Sequence, residues 1–195
     1  MLFRSFTLLA GAAGSFPGLS DVLTPGQQFF MEQMAFVAFV IGALTDLFDG
    51  MLARKLHAET EWGATLDPIA DKILVCGTIL GLFALGQVNK EIAIPSALIL
   101  FREFTVSALR ESAAAKGRKL SVTALAKWKT TLQLVALGME LFVVSWPAFG
   151  LDYDPNVLNP LGQIAHGLMW LAAIITIWTG WDYVRAARKA LPHEQ

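Results

Sequence analysis

The sequence has little charge and almost no cysteine. Charged residues make up 16% of its 195 residues, and cysteine occurs once, as Cys76. Soluble domains average about 25% charged residues, so the composition argues against an ordinary soluble domain. A single cysteine cannot form an internal disulfide, which excludes a disulfide-stabilised secreted scaffold. The net charge of −1 provides no excess of cations for a general nucleic-acid binder.

Apolar residues account for most of the chain, at 55% of the sequence and a mean hydropathy of +0.53. A hydrocarbon core about 30 Å thick requires about 20 apolar residues in a helix. Five runs meet that length: 29–49, 67–87, 91–113, 124–147 and 162–184. Because backbone amides find no partner in lipid, we expect each run to be helical.

The segment 5–19 is a weaker sixth candidate, since it is short and contains three glycines and Pro17. It is also compatible with a secretory signal peptide, because Arg4 precedes an apolar stretch rich in small residues. With segment 5–19 counted as a short or tilted span, residues 1–195 are predicted to form a single domain. That domain is an all-α integral membrane protein with a bundle of six transmembrane helices.

Lysine and arginine residues are unevenly distributed between the two sides of such a bundle. One side would carry Arg4, Arg54, Lys55, Lys116, Arg118, Lys119, Arg185, Arg188 and Lys189. The other side would carry only Lys90. Because cytoplasmic loops are rich in lysine and arginine, both termini are predicted to be cytoplasmic.

Four aspartates lie at the predicted cytoplasmic ends of two neighbouring spans. Asp46 and Asp49 are three residues apart, and Asp67 and Asp71 are four apart, so each pair shares a helix face. Asp67, followed by Pro68, can also cap its helix. Four carboxylates brought close together repel one another unless cations neutralise them. Oxygen ligands of this kind favour two Mg²⁺ or Mn²⁺ ions, an arrangement used for displacement at phosphorus.

The amino-acid sequence of this region resembles the signature of the CDP-alcohol phosphatidyltransferase family, D-x₂-D-G-x₂-A-R-x₈-G-x₃-D-x₃-D. All eight specified positions match, from Asp46 to Asp71. The resemblance implies a six-helix membrane enzyme that transfers a phosphatidyl-type group from a CDP-linked lipid to an alcohol and releases CMP. It also suggests a homodimer in a bacterial inner membrane, with the active site facing the cytoplasm.

The resemblance further implies a role for each position of the signature. Asp46, Asp49, Asp67 and Asp71 would bind the two metal ions, and Asp71 would also be the general base. The CDP-linked donor would lie against Asp49, Gly50, Ala53, Arg54, Gly63 and Asp67. In the first span the family pattern is altered, because Thr7 is retained but Ala10 stands where arginine is usual.

Cations in two later spans bear on the identity of the acceptor alcohol. The strings around Arg102-Glu103 and Arg110, and around Lys127-Trp-Lys129, resemble family members that use CDP-diacylglycerol and sn-glycerol 3-phosphate. Arg110, Lys127 and Lys129 are accordingly predicted to bind the acceptor phosphate. Either lysine could instead extend to the membrane interface, and Arg102 could pair with Glu103 as readily as contact substrate.

Three alternatives remain open at this point. One is a non-catalytic membrane protein that retains the site residues, which only the altered first span supports. Inositol phosphate is the second candidate acceptor, because it also requires a cationic pocket. An ion or proton transporter is the alternative from another class, since aspartate and arginine within spans also mark ion pathways. A transporter predicts acidic residues near the bilayer midplane, whereas these aspartates lie at the predicted interface.

Overall fold

The computed structural model describes residues 24–56, 61–85, 89–118 and 124–190. These residues form five α-helices and one 3₁₀ helix. The α-helices are α1 (Pro25–Leu56), α2 (Glu61–Ala84), α3 (Lys90–Ala115), α4 (Ala124–Val144) and α5 (Pro155–Ala190), and the 3₁₀ helix is Trp146–Phe149. The described part of the chain contains no strand, which confirms the predicted all-α class there.

Local sequence signals explain where the helices begin and end. Before α1, the Gln27 side chain accepts hydrogen bonds from the backbone N–H and the hydroxyl of Thr24, as in a capping box. Asn89 caps α3 by accepting a hydrogen bond from the N–H of Ile92. At the other end of α3, Gly117 has a φ of 68°, a left-handed conformation that glycine adopts without strain.

Three of the described helices are long and apolar enough to cross a membrane. They contain the segments Gly26–Thr45, Lys90–Ala115 and Pro155–Lys189. The predicted runs 67–87 and 124–147 coincide largely with α2 and α4, while segment 5–19 lies outside the described residues. The helices therefore indicate an integral membrane protein, and the count of six spans and the cytoplasmic termini stay predictions.

The chain divides into two compact units, the first of which comprises the described residues within 1–88 and 137–165. In this unit α1 packs against α2 and against the 3₁₀ helix. Aromatic rings join α1 to α4 and to the 3₁₀ helix: the Phe36 ring lies 5.4 Å from that of Phe142 and 5.5 Å from that of Phe149, measured between centroids. Gly138 of α4 lies against the Phe39 ring, since a Cβ there would be 2.9 Å from it. Small residues of this kind let membrane helices approach closely.

The second unit comprises the described residues within 89–136 and 166–195, and contains α3, the beginning of α4 and most of α5. Its buried positions include apolar residues such as Ile92, Ile99 and Met169. The buried polar and charged residues of this unit include Arg102, Lys129, Gln133, Thr176 and Thr179. Buried polar groups in a membrane protein are costly unless they are paired. Arg102, Gln133, Thr176 and Thr179 are joined by hydrogen bonds, and Lys129 is hydrogen-bonded to Glu103.

Candidate active site

The two halves of the aspartate signature lie on two helices of the first unit. Asp46 and Asp49 lie near the end of α1, and Asp67 and Asp71 lie in the first half of α2, with only residues 57–60 between the helices. Because the backbone is helical at all four positions, each pair occupies one helix face, as the spacing predicts. The structure describes the backbone here and not the aspartate side chains.

Three small residues of the signature lie within these continuous helices. Gly50 and Ala53 belong to α1, and Gly63 belongs to α2. A glycine inside a helix costs about 1 kcal/mol relative to alanine, so two of them in one short region need a reason. Close approach of a bound molecule to the helix backbone is such a reason. Their part in donor binding, like that of Arg54, whose side chain is outside the described set, stays a prediction.

The chemistry of the signature fits a divalent cation. All four candidate ligands are carboxylates, and carboxylate oxygens are the ligands that Mg²⁺ and Mn²⁺ prefer. Among the side chains that the structure describes, no cluster of three or more histidine, cysteine, aspartate or glutamate residues could hold a metal ion. Metal binding by the signature aspartates, whose side chains are outside that set, stays a prediction.

The predicted acceptor-phosphate cations lie on α3 and α4 of the second unit. Arg110 lies in the C-terminal part of α3, and its side chain is exposed. Lys127 lies in the first turn of α4, where only the backbone is described. Lys129 follows two residues later and is buried. Positions two residues apart lie on different faces of a helix, so the two lysines do not share a face.

Lys129 forms an ion pair within the second unit. Its ammonium donates a hydrogen bond to Oε1 of Glu103 on α3. The same carboxylate oxygen lies 3.5 Å from the Arg102 guanidinium, so that the Arg102–Glu103 pair considered from the sequence is present. All three side chains are largely buried, with exposed fractions of 7% for Arg102, 15% for Glu103 and 5% for Lys129.

Hydrogen bonds extend this cluster to α5. Arg102 donates from Nε to the Thr176 carbonyl at 3.2 Å, and from Nη2 to the Thr179 hydroxyl at 3.2 Å. Gln133 of α4 donates to the Thr176 hydroxyl at 2.8 Å, and its amide also lies 3.4 Å from Glu103. We refer to Arg102, Glu103, Lys129, Gln133, Thr176 and Thr179 as the buried polar network.

Gln133, Thr176 and Thr179 were not among the residues predicted from the sequence. A signal was present, because Gln133 follows Lys129 by four residues and therefore shares its helix face. Thr176 and Thr179 are three residues apart inside an otherwise apolar run. Polar residues on one face of a membrane span favour partners on a neighbouring helix, although spacing alone does not identify the partner.

Comparison with known proteins places this chain in a family. A sequence profile described as CDP-alcohol phosphatidyltransferase matches residues 6–178. A relative from Cereibacter sphaeroides named CDP-diacylglycerol–glycerol-3-phosphate 3-phosphatidyltransferase is 36% identical over 91% of this chain and 90% of its own length. Relatives with the same name are 42% identical in Rickettsia bellii, over 77% of each chain, and 38% identical in Escherichia coli, over 80% of each. This chain belongs to the CDP-alcohol phosphatidyltransferase family and is a phosphotransferase enzyme of phospholipid biosynthesis.

Proposed function

We propose that this chain transfers the phosphatidyl group of CDP-diacylglycerol to sn-glycerol 3-phosphate, giving phosphatidylglycerophosphate and CMP. The complete aspartate signature, divided between helices α1 and α2, is the observation that carries the proposed chemistry. The names of the relatives support both substrates, because each refers to CDP-diacylglycerol and glycerol 3-phosphate.

In the proposed reaction, a hydroxyl oxygen of glycerol 3-phosphate attacks the phosphorus that carries the diacylglycerol. A new P–O bond forms, the bond from that phosphorus to the CMP oxygen breaks, and CMP leaves. Asp71 takes the proton of the attacking hydroxyl as general base. Aspartate is a weak base for an alcohol, so correct positioning of the reactants must lower most of the barrier.

Asp46, Asp49, Asp67 and Asp71 would hold two Mg²⁺ or Mn²⁺ ions. When bound, such ions neutralise the diphosphate of the donor and stabilise the charge that develops on the leaving CMP. The chain positions the donor through Gly50, Ala53 and Gly63, whose small size allows the nucleotide to approach the helices, and through Arg54, Asp49 and Asp67.

Arg110 and Lys127 are proposed to bind the acceptor phosphate. Arg110 is suited to this task because its guanidinium is exposed and can donate two parallel hydrogen bonds to a phosphate. Lys129, the third predicted cation, has its ammonium on Glu103, and its contact with the acceptor stays a prediction.

The proposed setting is a bacterial inner membrane, with the active site facing the cytoplasm and the chain folded as a single domain that forms a homodimer. The uneven distribution of lysine and arginine supports the orientation. The three apolar helices support residence in a membrane.

An acceptor competition assay tests the proposed function. Membranes containing the protein are given CDP-diacylglycerol, a divalent cation and one candidate acceptor, and the release of CMP is measured. We expect release with glycerol 3-phosphate and no release with inositol phosphate, inositol or serine. Turnover with inositol phosphate and none with glycerol 3-phosphate would assign a different acceptor to the same chemistry.

A further inference from the structure

We propose that a groove between α3 and α5 binds one membrane phospholipid whose zwitterionic head group joins a phosphate to a primary ammonium, as in phosphatidylethanolamine. The lipid is a bound component of the protein and not a substrate. None of the described residues assigned to the donor or the acceptor lines this groove. The lipid site is therefore separate from the proposed function, and its test requires no turnover.

The groove has a volume of about 700 Å³ and lies within the second unit. Its wall is mostly apolar and includes Leu98 of α3 and Ile174, Ile177, Trp178 and Trp181 of α5. The side chains of the two tryptophans are exposed, with 69% and 52% of their surface accessible. Large apolar side chains that are exposed on a membrane helix contact lipid or another protein chain.

The length of the groove fits one leaflet of a bilayer. Its lining on α5 extends from Ala173 to Arg185, a rise of about 18 Å along the helix. One leaflet contributes about 15 Å to the hydrocarbon core, and the head groups lie just beyond it. A single phospholipid can therefore place an acyl chain along the apolar wall and its head group beside Arg185.

Both charged residues of the lining lie at one end of the groove. Asp182 and Arg185 are near the C-terminal end of α5. They are three residues apart, so they share a helix face and their Cβ atoms are about 5–6 Å apart. Together they carry no net charge, and they match a head group that also has one anion and one cation. The phosphate would lie against Arg185 and the ammonium against Asp182.

Trp181 orients the Arg185 guanidinium. Its ring centroid lies 5.5 Å from Cζ of Arg185, which is a cation–π contact. Stacking occupies one face of the guanidinium and leaves the N–H groups at its edge, which can donate two parallel hydrogen bonds to a phosphate. In the part of the chain that the structure describes, Arg185 and Asp182 form no ion pair with each other. Each charge can therefore contact the head group.

The Asp182 carboxylate distinguishes among phospholipids. A primary ammonium can donate hydrogen bonds to a carboxylate, whereas the trimethylated ammonium of phosphatidylcholine has no N–H to donate. Phosphatidylglycerol carries the phosphate but no cation to offset Asp182. The groove should therefore prefer phosphatidylethanolamine to both.

Native mass spectrometry of the full-length protein in detergent tests the proposal. The protein is mixed with equal amounts of phosphatidylethanolamine and phosphatidylcholine that carry the same acyl chains, and the ratio of the two bound lipids is measured from the adduct masses. A second mixture contains phosphatidylglycerol in place of phosphatidylcholine. For the first lipid bound per chain, we expect at least about a threefold excess of phosphatidylethanolamine in both mixtures, the scale of an exposed ion pair. Because the lipids compete in one sample, the ratio does not depend on the amount of folded protein.

Two substitutions separate the contributions of the charges. Asp182→Asn should bring the ratio of phosphatidylethanolamine to phosphatidylcholine close to one, while Asp152→Asn, at an exposed position outside the groove, should keep the wild-type ratio. Arg185→Gln should lower the binding of both lipids about fivefold or more. Arg188→Gln removes an equal charge from an exposed position outside the lining, and should bind both lipids as the wild type does.

Trp181→Leu tests the orientation of the guanidinium. Loss of the stacking contact should lower the binding of both lipids about twofold to fivefold. Trp170→Leu is the matched control, because Trp170 lies on the same helix with 37% of its surface exposed and does not line the groove. This control should bind both lipids with wild-type affinity.

Four results would overturn the proposal. A ratio of one in the wild type would show that the primary ammonium is not recognised, and an excess of phosphatidylglycerol would assign the groove to an anionic lipid. Equal lipid binding by Arg185→Gln and Arg188→Gln would show that Arg185 does not contact the phosphate. Dissociation of a dimer by Trp178→Ala, with lipid binding unchanged, would assign the groove to contact with a second copy of the chain.

Discussion

Gly180 of α5 lies directly against the side chain of Arg102. A Cβ atom at position 180 would be 2.8 Å from Cγ of Arg102 and 3.5 Å from its Nε. The contact is with the stem of the arginine, near its backbone, so a small movement of the guanidinium does not relieve it. The absence of a side chain at Gly180 is therefore what allows Arg102 to reach Thr176 and Thr179.

Gly180→Ala should destabilise the protein. Arg102 would have to change its rotamer, and its hydrogen bonds to Thr176 and Thr179 would lengthen or break. Overpacking of this kind costs about 1–3 kcal/mol, which should lower the melting temperature of the detergent-solubilised protein by several degrees. A thermal unfolding curve followed by circular dichroism measures the change.

Gly167→Ala is the matched control for this substitution. Gly167 lies on the same helix and in the same unit, and a Cβ there would have no atom within 4 Å. Replacing a helical glycine in open space should stabilise the protein by about 0.5–1 kcal/mol. Equal melting temperatures for the two variants would show that Arg102 does not require the space at Gly180.

The buried polar network shows how much of the molecule the sequence could predict. The helices followed from apolar runs and caps, because lipid leaves the backbone no alternative to internal hydrogen bonds. An ion pair between Arg102 and Glu103 could be considered from the sequence because the two residues are adjacent. The pairing of Lys129 with Glu103 could not be predicted, since it depends on how α3 and α4 are rotated about their axes. That rotation is set by packing between residues far apart in the chain.

The helix faces that carry the signature aspartates could be predicted for a different reason. The residues of the signature are close in sequence, on two helices joined by residues 57–60, so spacing alone defines which faces carry them. The need for a glycine at position 180 could not be predicted from spacing. Arg102, whose side chain requires the space, lies 78 positions earlier in the chain.

Removal of divalent cations should abolish turnover. Asp46, Asp49, Asp67 and Asp71 are proposed to hold two ions that neutralise the donor diphosphate, and without them four carboxylates face a polyanionic substrate. We expect EDTA to stop the release of CMP. Mg²⁺ or Mn²⁺ should restore it, and Ca²⁺, with its longer oxygen distances of about 2.3–2.6 Å, should not.

The same assay separates site aspartates from others. Asp46→Asn should require a higher concentration of Mg²⁺ for half-maximal activity, because a neutral amide is a weaker ligand than a carboxylate. Asp152→Asn, an exposed aspartate before α5, should retain the wild-type requirement. An unchanged Mg²⁺ requirement in Asp46→Asn would remove that residue from the proposed ligand set.

Asp71→Asn should abolish catalysis and leave donor binding measurable. Removal of a general base lowers rates by about 10²- to 10⁴-fold, whereas three carboxylates remain for the metal ions. Steady-state release of CMP gives the rate, and binding of radiolabelled CDP-diacylglycerol in the presence of Mg²⁺ gives the affinity. Loss of binding to the same degree as in Asp46→Asn would show that Asp71 acts mainly as a metal ligand.

Arg110→Ala should weaken the use of glycerol 3-phosphate specifically. A hydrogen bond to a charged group contributes about 1.5–3 kcal/mol, so kcat/KM for glycerol 3-phosphate should fall by about 10- to 100-fold. The KM for CDP-diacylglycerol should stay close to that of wild type. Lys116→Ala removes an equal charge from an exposed position just beyond the end of α3 and is the control for general attraction of anions. Equal losses in the two variants would mean that Arg110 contributes only to the overall positive field and does not contact the acceptor phosphate.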